Sequence, residues 1–193
     1  AFELGPLRLV FVGNLIPRKG LHVLLDALYI LRTRNLQDLP ALAVIGGLDV
    51  DPTYTRKMQQ RVQEYGLQEQ VSFLGYLDQH TLAARLRASQ VLVLPSSYEG
   101  FGIAYLEGMS FGLPALASQA GAAGEIITHD EDGFLLPPES PQPLADFLAA
   151  LSRDRSTLAR LSLAARQRFL KHPGWQQTGQ VIRQFLLQEI VRL

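Results

Sequence analysis

The stretch QVLVLPSSYEGFGIAYLEGMSFGLPALASQA (Gln90–Ala120) reads as strand, loop, helix and strand. Two apolar runs, around Val91–Leu94 and Pro114–Ala117, are continuous rather than alternating. That is the pattern of strands buried on both faces. Between them, Gly102 to Gly112 predicts a short helix, preceded by a loop rich in glycine and serine.

Outward from this stretch the same alternation recurs. Strands are predicted at Leu7–Gly13, Ala41–Gly47, Val71–Gly75 and in DGFLLPP after a turn at Asp132-Gly133. Leu21, Leu24, Leu25, Leu28 and Leu31 repeat at helical spacing, and basic residues with Asn35 mark the end of that helix. A second helix starts with Asp51 as N-cap and Pro52 in its first turn, and stops at Gly66. A third is capped near Asp78, and GEIITH is a short helical turn. Helices at Pro141–Leu151, Ser156–Lys171 and about Trp175–Leu193 close the chain. The fold class that follows is α/β: a doubly wound, Rossmann-like parallel sheet with helices on both faces. In such a sheet the ligand crevice lies at the carboxyl ends of the strands.

Bulk properties narrow the function. The 193 residues suit one large domain, are 47% hydrophobic and carry a formal net charge of zero. No global field favours nucleic acid. Without cysteine, disulfides and thiolate metal sites are excluded, which fits a reducing, cytoplasmic compartment. No apolar run reaches the roughly 18 residues of a membrane span. The chain starts at Ala1 and enters a strand within a few residues, so an excised piece of a longer protein is expected. Residues 151–193 hold eight basic side chains against Asp154 and Glu189. That excess suits a solvated helix face, another domain or the inner face of a membrane.

Three loops at strand ends stand out. In VGNLIPRKG, Gly13 permits close backbone approach, and Arg18 and Lys19 precede a helix start. Cations there oppose the helix dipole, which suits either a solvated turn or an anion site. In IGGLDVD, Gly46 and Gly47 allow a ligand near the backbone. Asp49 and Asp51 suggest a divalent-metal pair only weakly, because Asp51 before proline is an N-cap pattern. In the third loop Glu99 is followed by Gly100-Phe101-Gly102, whose backbone N–H groups at a helix N-terminus make a phosphate cradle. Neither a Walker A loop nor G-x-G-x-x-G is present, since Tyr105 occupies the third glycine position.

From Gly100 to Gly124 the only formal charge is Glu107. Its helix is apolar almost all round, so a buried carboxylate needing a partner is expected. The partner is either a core arginine or backbone group, or a vicinal diol such as a ribose, whose two hydroxyls one carboxylate can accept.

At these residues a resemblance enters. EGFGIAYLE is a Glu-x7-Glu motif; with PRKG before it and GLPALASQAGAAGEII after it, the chain strongly resembles the C-terminal, donor-binding domain of GT-B glycosyltransferases of the family 4 type. The likeness covers Leu7 to about Pro138 well and the C-terminal helices loosely. It implies that Glu107 binds the donor's ribose, and that Glu99 contacts the transferred hexose and helps place its anomeric carbon. It implies that Lys19 neutralises the diphosphate, and that backbone around Phe101, Gly102 and Ile103 holds phosphate or sugar. Phe73, Leu74 and Tyr76 would flank the base, and Leu106 would pack on the nucleoside. The implied reaction is retaining hexosyl transfer from a UDP- or GDP-hexose, without a metal or other cofactor. The glycan or lipid acceptor would sit on a missing N-terminal domain, towards which helices 156–193 would fold. Two departures appear: Asn14 stands where the family commonly has arginine, and Gly121-Ala122-Ala123-Gly124-Glu125 replaces two adjacent glycines before the glutamate. The first leaves open whether Arg18 substitutes. It also leaves open a non-catalytic nucleotide-sugar module; a sugar-nucleotide epimerase of the same fold is a further alternative. His22, His80, His129 and His172 fall outside these loops and read as surface or core residues.

Overall fold

The computed structural model describes residues 5–191; Ala1 to Leu4, Arg192 and Leu193 lie outside that range. Six strands form one sheet: β1 Arg8–Val12, β2 Ala41–Ile45, β3 Val71–Gly75, β4 Val91–Leu94, β5 Ala115–Ser118 and β6 Gly133–Leu136. All pairs are parallel, in the order β3-β2-β1-β4-β5-β6. The order reverses between β1 and β4, the position where such sheets open a crevice. Right-handed crossovers put α1 (Leu21–Thr33) and α2 (Pro52–Glu64) on one face. They put α3 (Gln79–Ala88), α4 (Ile103–Ser110) and α5 (Ala123–Ile126) on the other. Then α6 (Pro141–Arg153) packs on α1, and α7 (Arg155–Lys171) packs on α4. The chain's last helix, α8, spans Trp175–Val191.

Local chemistry explains the boundaries. The five periodic leucines of α1 are all buried, joined by Val23 and Ala27. Asp51 caps α2 by accepting the Tyr54 N–H at 2.9 Å, so its carboxylate serves a helix end. Asp78 caps α3 by accepting from the Thr81 hydroxyl and from the N–H groups of Thr81 and His80, and these bonds hold its carboxyl below the usual range. Asn35, with φ 53°, adopts a left-handed turn just beyond α1. Every residue of β4 and β5 is buried, as their continuous apolar runs require.

The differences from expectation are informative. Strands β1 and β2 stop one and two residues early, because Gly13 and Gly46 leave the sheet with positive φ. The helix α4 is not buried all round: Tyr105, Gly108 and Met109 face the core, while Ile103 is exposed and Leu106 and Glu107 are half-buried. It starts at the carboxyl end of β4 with Phe101 and Ile103 exposed, so one side of it meets solvent. The basic excess of the C-terminal region is not simply a solvated face. Arg155 donates to the Gly5 carbonyl, Arg160 to Asp130, Arg166 to the Ser110 carbonyl and Arg168 to the carbonyls of Glu125 and Ile126. Ser110 and Ile126 end α4 and α5, where cations complement the helix dipole. Among the described residues no helix is long and apolar enough to cross a membrane.

Candidate functional site

The loops after β1 and β2 are fused into one floor. Gly13 N–H donates to the Ile45 carbonyl at 2.9 Å, and Leu15 N–H to the Gly47 carbonyl at 3.1 Å. A Cβ on Gly46 would lie 2.0 Å from the Gly13 oxygen, so only glycine permits this contact. The Asn14 side-chain oxygen accepts from Gly47 N–H at 3.4 Å, which gives Asn14 a role between the two loops. Gly46 N–H donates to the Gly75 carbonyl at 2.9 Å and joins the end of β3 to the same floor. Beyond that joint, Phe73 and Leu74 are half-buried and Tyr76 is 87% exposed.

Pro17–Lys19 forms a short 3-10 turn closed by Gly20, whose φ is 74°. That turn is fastened to the loop after β4. Ser97 N–H donates to the Arg18 carbonyl at 2.9 Å, and Arg18 Nη1 donates to the Tyr98 carbonyl at 2.6 Å. Lys19 lies over Gly13 and reaches Glu99, with Nζ–Oε2 at 2.8 Å. The two side chains are only 14% and 13% exposed. A third loop holds Glu99 from the far side: its carbonyl accepts Ala122 N–H at 2.8 Å, and it bridges to Gly121. Residues 80 positions apart thus form one enclosed ion pair over the β1/β4 reversal.

Helix α4 opens beside this pair. Its N-cap is Gly102, φ 84°, with no side chain to satisfy the first-turn N–H groups. Gly100 has open space around it and Phe101 is exposed. The Tyr105 ring fills the space below, and a Cβ on Gly102 would meet it at 2.7 Å. One turn along, the Glu107 carboxylate has no hydrogen-bond or ion-pair partner among the described residues. Burial pushes it above the usual carboxylate range. The core arginine or backbone partner that the sequence left open is therefore absent among those residues. No group of three or more metal-ligating side chains gathers among them either.

The structure brings Gly13, Asn14, Arg18, Lys19, Gly46, Glu99, Gly100 and Gly102 around one crevice mouth, with Ile103, Leu106 and Glu107 along α4. Sequence reasoning missed Ser96 beneath Glu99 and Gly20 against Pro95, and it named Gly121 only as part of a departure from the family pattern. Gly20 and Gly121 both have positive φ, and a Cβ on them would strike the Pro95 and Glu99 oxygens at 2.1 and 2.2 Å. No local pattern distinguishes such glycines from ordinary turn residues. His22 is engaged structurally: Nδ1 lies 2.9 Å from the Tyr54 hydroxyl and Nε2 2.8 Å from Glu139.

Residues 1–168 match the family model described as glycosyl transferases group 1. The chain is 32% identical over 172 residues to D-inositol 3-phosphate glycosyltransferase of Jonesia denitrificans, covering 89% of this chain and 40% of that protein. The chain thus spans well under half the length of that relative. Its fold superposes on Anabaena Alr3699/HepE in complex with UDP and glucose at a TM-score of 0.83, with 26% identity over 94% of this chain and 48% of that one. It also matches the C-terminal domain of the group 1 family protein LpcC from Francisella tularensis, at a TM-score of 0.76 and 29% identity over 86% of this chain and 85% of that one. The chain belongs to the group 1 glycosyltransferase family and corresponds to the C-terminal domain of GT-B glycosyltransferases.

Proposed function

We propose that this chain is the donor-binding domain of a retaining hexosyltransferase that uses a UDP- or GDP-hexose. The observation that carries the reading is the enclosed Lys19–Glu99 pair beside an uncapped helix N-terminus, with the Glu107 carboxylate, unpartnered among the described residues, one turn on. Each element suits one part of a nucleotide sugar. The diphosphate lies on the first-turn N–H groups of α4 and the Gly100–Gly102 backbone, where dipole and donors favour an anion. Glu107 accepts two ribose hydroxyls. Phe73, Leu74 and Tyr76 flank the base, and Leu106 packs on the nucleoside. Glu99 accepts a hexose hydroxyl. As the acceptor hydroxyl attacks the anomeric carbon on the face from which the diphosphate leaves, the bond to the diphosphate breaks, the departing phosphate oxygen takes the hydroxyl's proton, and the Lys19 ammonium stabilises the negative charge that departs. An ammonium has three donors, so Lys19 serves Glu99 and phosphate together. Arg18 adds positive charge nearby in the absence of a cation at Asn14.

The acceptor, a glycan or lipid, belongs to the part of the longer protein that this chain lacks, and the α7–α8 region packs against that part. The whole protein works in the cytoplasm, in contact with the inner membrane face when its acceptor is a lipid. This chain alone binds donor and transfers little or nothing. Calorimetric titration of UDP, GDP and ADP into the chain tests the reading. One nucleotide binds, and Glu107→Ala abolishes that binding while staying folded. Absence of binding by folded wild type at millimolar nucleotide overturns it. A second reading, a nucleotide-sugar module without catalysis, is favoured by Asn14, whose side chain joins two loops rather than supplying a cation. Transfer by the longer protein supplied with acceptor discards that second reading.

A further inference from the structure

A set of buried hydroxyls lies under Glu99 and takes no part in the roles above. Ser96 is 0% exposed, and Ser118 and Tyr105 are buried beside it. The Ser118 hydroxyl donates to the Ser96 carbonyl, and the Tyr105 hydroxyl donates to the Leu94 carbonyl at 3.3 Å. These bonds fix the backbone where β4 turns into the loop. The Ser96 hydroxyl donates to Glu99 Oε2 at 3.3 Å. That is the same oxygen that accepts from Lys19 at 2.8 Å. Oε1 has no donor among the described residues. A carboxylate offers about four acceptor positions, so two donors on one oxygen hold its orientation and leave the other oxygen unsatisfied.

We propose that Ser96 is a positioning residue: together with Lys19 it pins Oε2 of Glu99, so that Oε1 is presented to one hydroxyl of the donor's sugar. The inference rests on the donor-binding reading. It makes Ser96 act on recognition of the hexose and not on the nucleotide. It also keeps the Lys19–Glu99 pair intact when donor is bound, since the sugar uses the free oxygen.

The test is calorimetry on this chain with UDP and UDP-glucose, and with GDP and GDP-mannose, for wild type, Ser96→Ala, Ser96→Cys and Ser96→Thr. Thermal unfolding of each variant is followed alongside. The quantity read is the ratio of nucleotide-sugar affinity to nucleotide affinity. In Ser96→Ala the ratio falls about tenfold, the effect of one hydrogen bond to a charged group. Ser96→Cys keeps the size with a weak donor and falls comparably; it carries the test where the alanine variant does not fold. Ser96→Thr keeps the hydroxyl and recovers most of the ratio. Equal losses for nucleotide and nucleotide sugar, an unchanged ratio, or a wild-type ratio near one overturn the inference and leave nucleotide binding standing. Wild type that binds neither nucleotide overturns the donor-binding reading, and the inference with it.

Discussion

Gly121 meets the site through a backbone bridge to Glu99 and through its lack of a side chain. Its φ is 71°, and a Cβ there would stand 2.2 Å from the Glu99 oxygen. Gly121→Ala imposes a left-handed conformation costing about 1–2 kcal/mol and displaces Glu99 besides. We expect a lowered melting temperature and a larger loss of nucleotide-sugar than of nucleotide affinity, read by thermal unfolding and calorimetry. Glu107 carries a second residue-scale prediction. Burial raises its carboxyl, so the folded state keeps its proton to higher pH than the unfolded state. Stability therefore falls as pH rises from the ordinary carboxylate value through the folded-state value, and the cost is complete above it. Glu107→Gln should melt higher than wild type at pH 8, with the difference shrinking towards pH 4. Binding runs the other way. A diol needs the ionised carboxylate, so wild-type nucleotide affinity should fall as pH drops through that same folded-state value. A melting difference between Glu107→Gln and wild type that is independent of pH would contradict this account.

At the scale of elements, helix ends decide much of the local stability. The α2 cap replaces an orphan N–H partner, so Asp51→Ala should cost about 1 kcal/mol in denaturant unfolding. That cost should appear without change in nucleotide affinity, because Asp51 serves the helix and not the crevice. Arg168 reaches from α7 to the last carbonyls of α5. Hydrogen bonds from a charged donor are strong, but this side chain is partly exposed, so Arg168→Ala should cost about 1 kcal/mol. Both caps and periodic leucines were legible in the sequence, since each depends on residues within one or two turns. The role of Arg168 was not. An arginine on a helix looks the same whether it meets water or a carbonyl 42 positions away.

At the scale of the whole molecule, α8 stands apart from the sheet-and-helix body in its exposure. Trp175, Val181, Ile182, Phe185, Leu186 and Leu187 of α8 are all exposed. Among the described residues no strand or other helix packs extensively on α8. Most of a helix's stability in a protein comes from tertiary packing of its apolar face, which α8 lacks among the described residues. Truncation after Gly174 should therefore leave the main melting transition unchanged, and hydrogen exchange should find the α8 amides the least protected of the helices. A drop in that transition on truncation would mean that α8 stabilises the body directly.

The sequence by itself determined the layered architecture, strand by strand, because continuous apolar runs and helical leucine spacing are local and periodic. It also singled out Glu107, the only charge from Gly100 to Gly124, whereas the roles expected of Lys19 and Glu99 came from the family resemblance of their loops. Only the tertiary structure decided how those charges meet. The Lys19–Glu99 pair joins residues 80 positions apart, and the glycines that permit it are selected by backbone atoms of other loops. Ser96 was unreadable for the same reason. Its burial and its bond to Glu99 depend on where β4 turns and on what Ser118 and Tyr105 hold in place. Periodicity within a segment survives in one dimension, whereas the contacts between loops exist only after the sheet reverses its order.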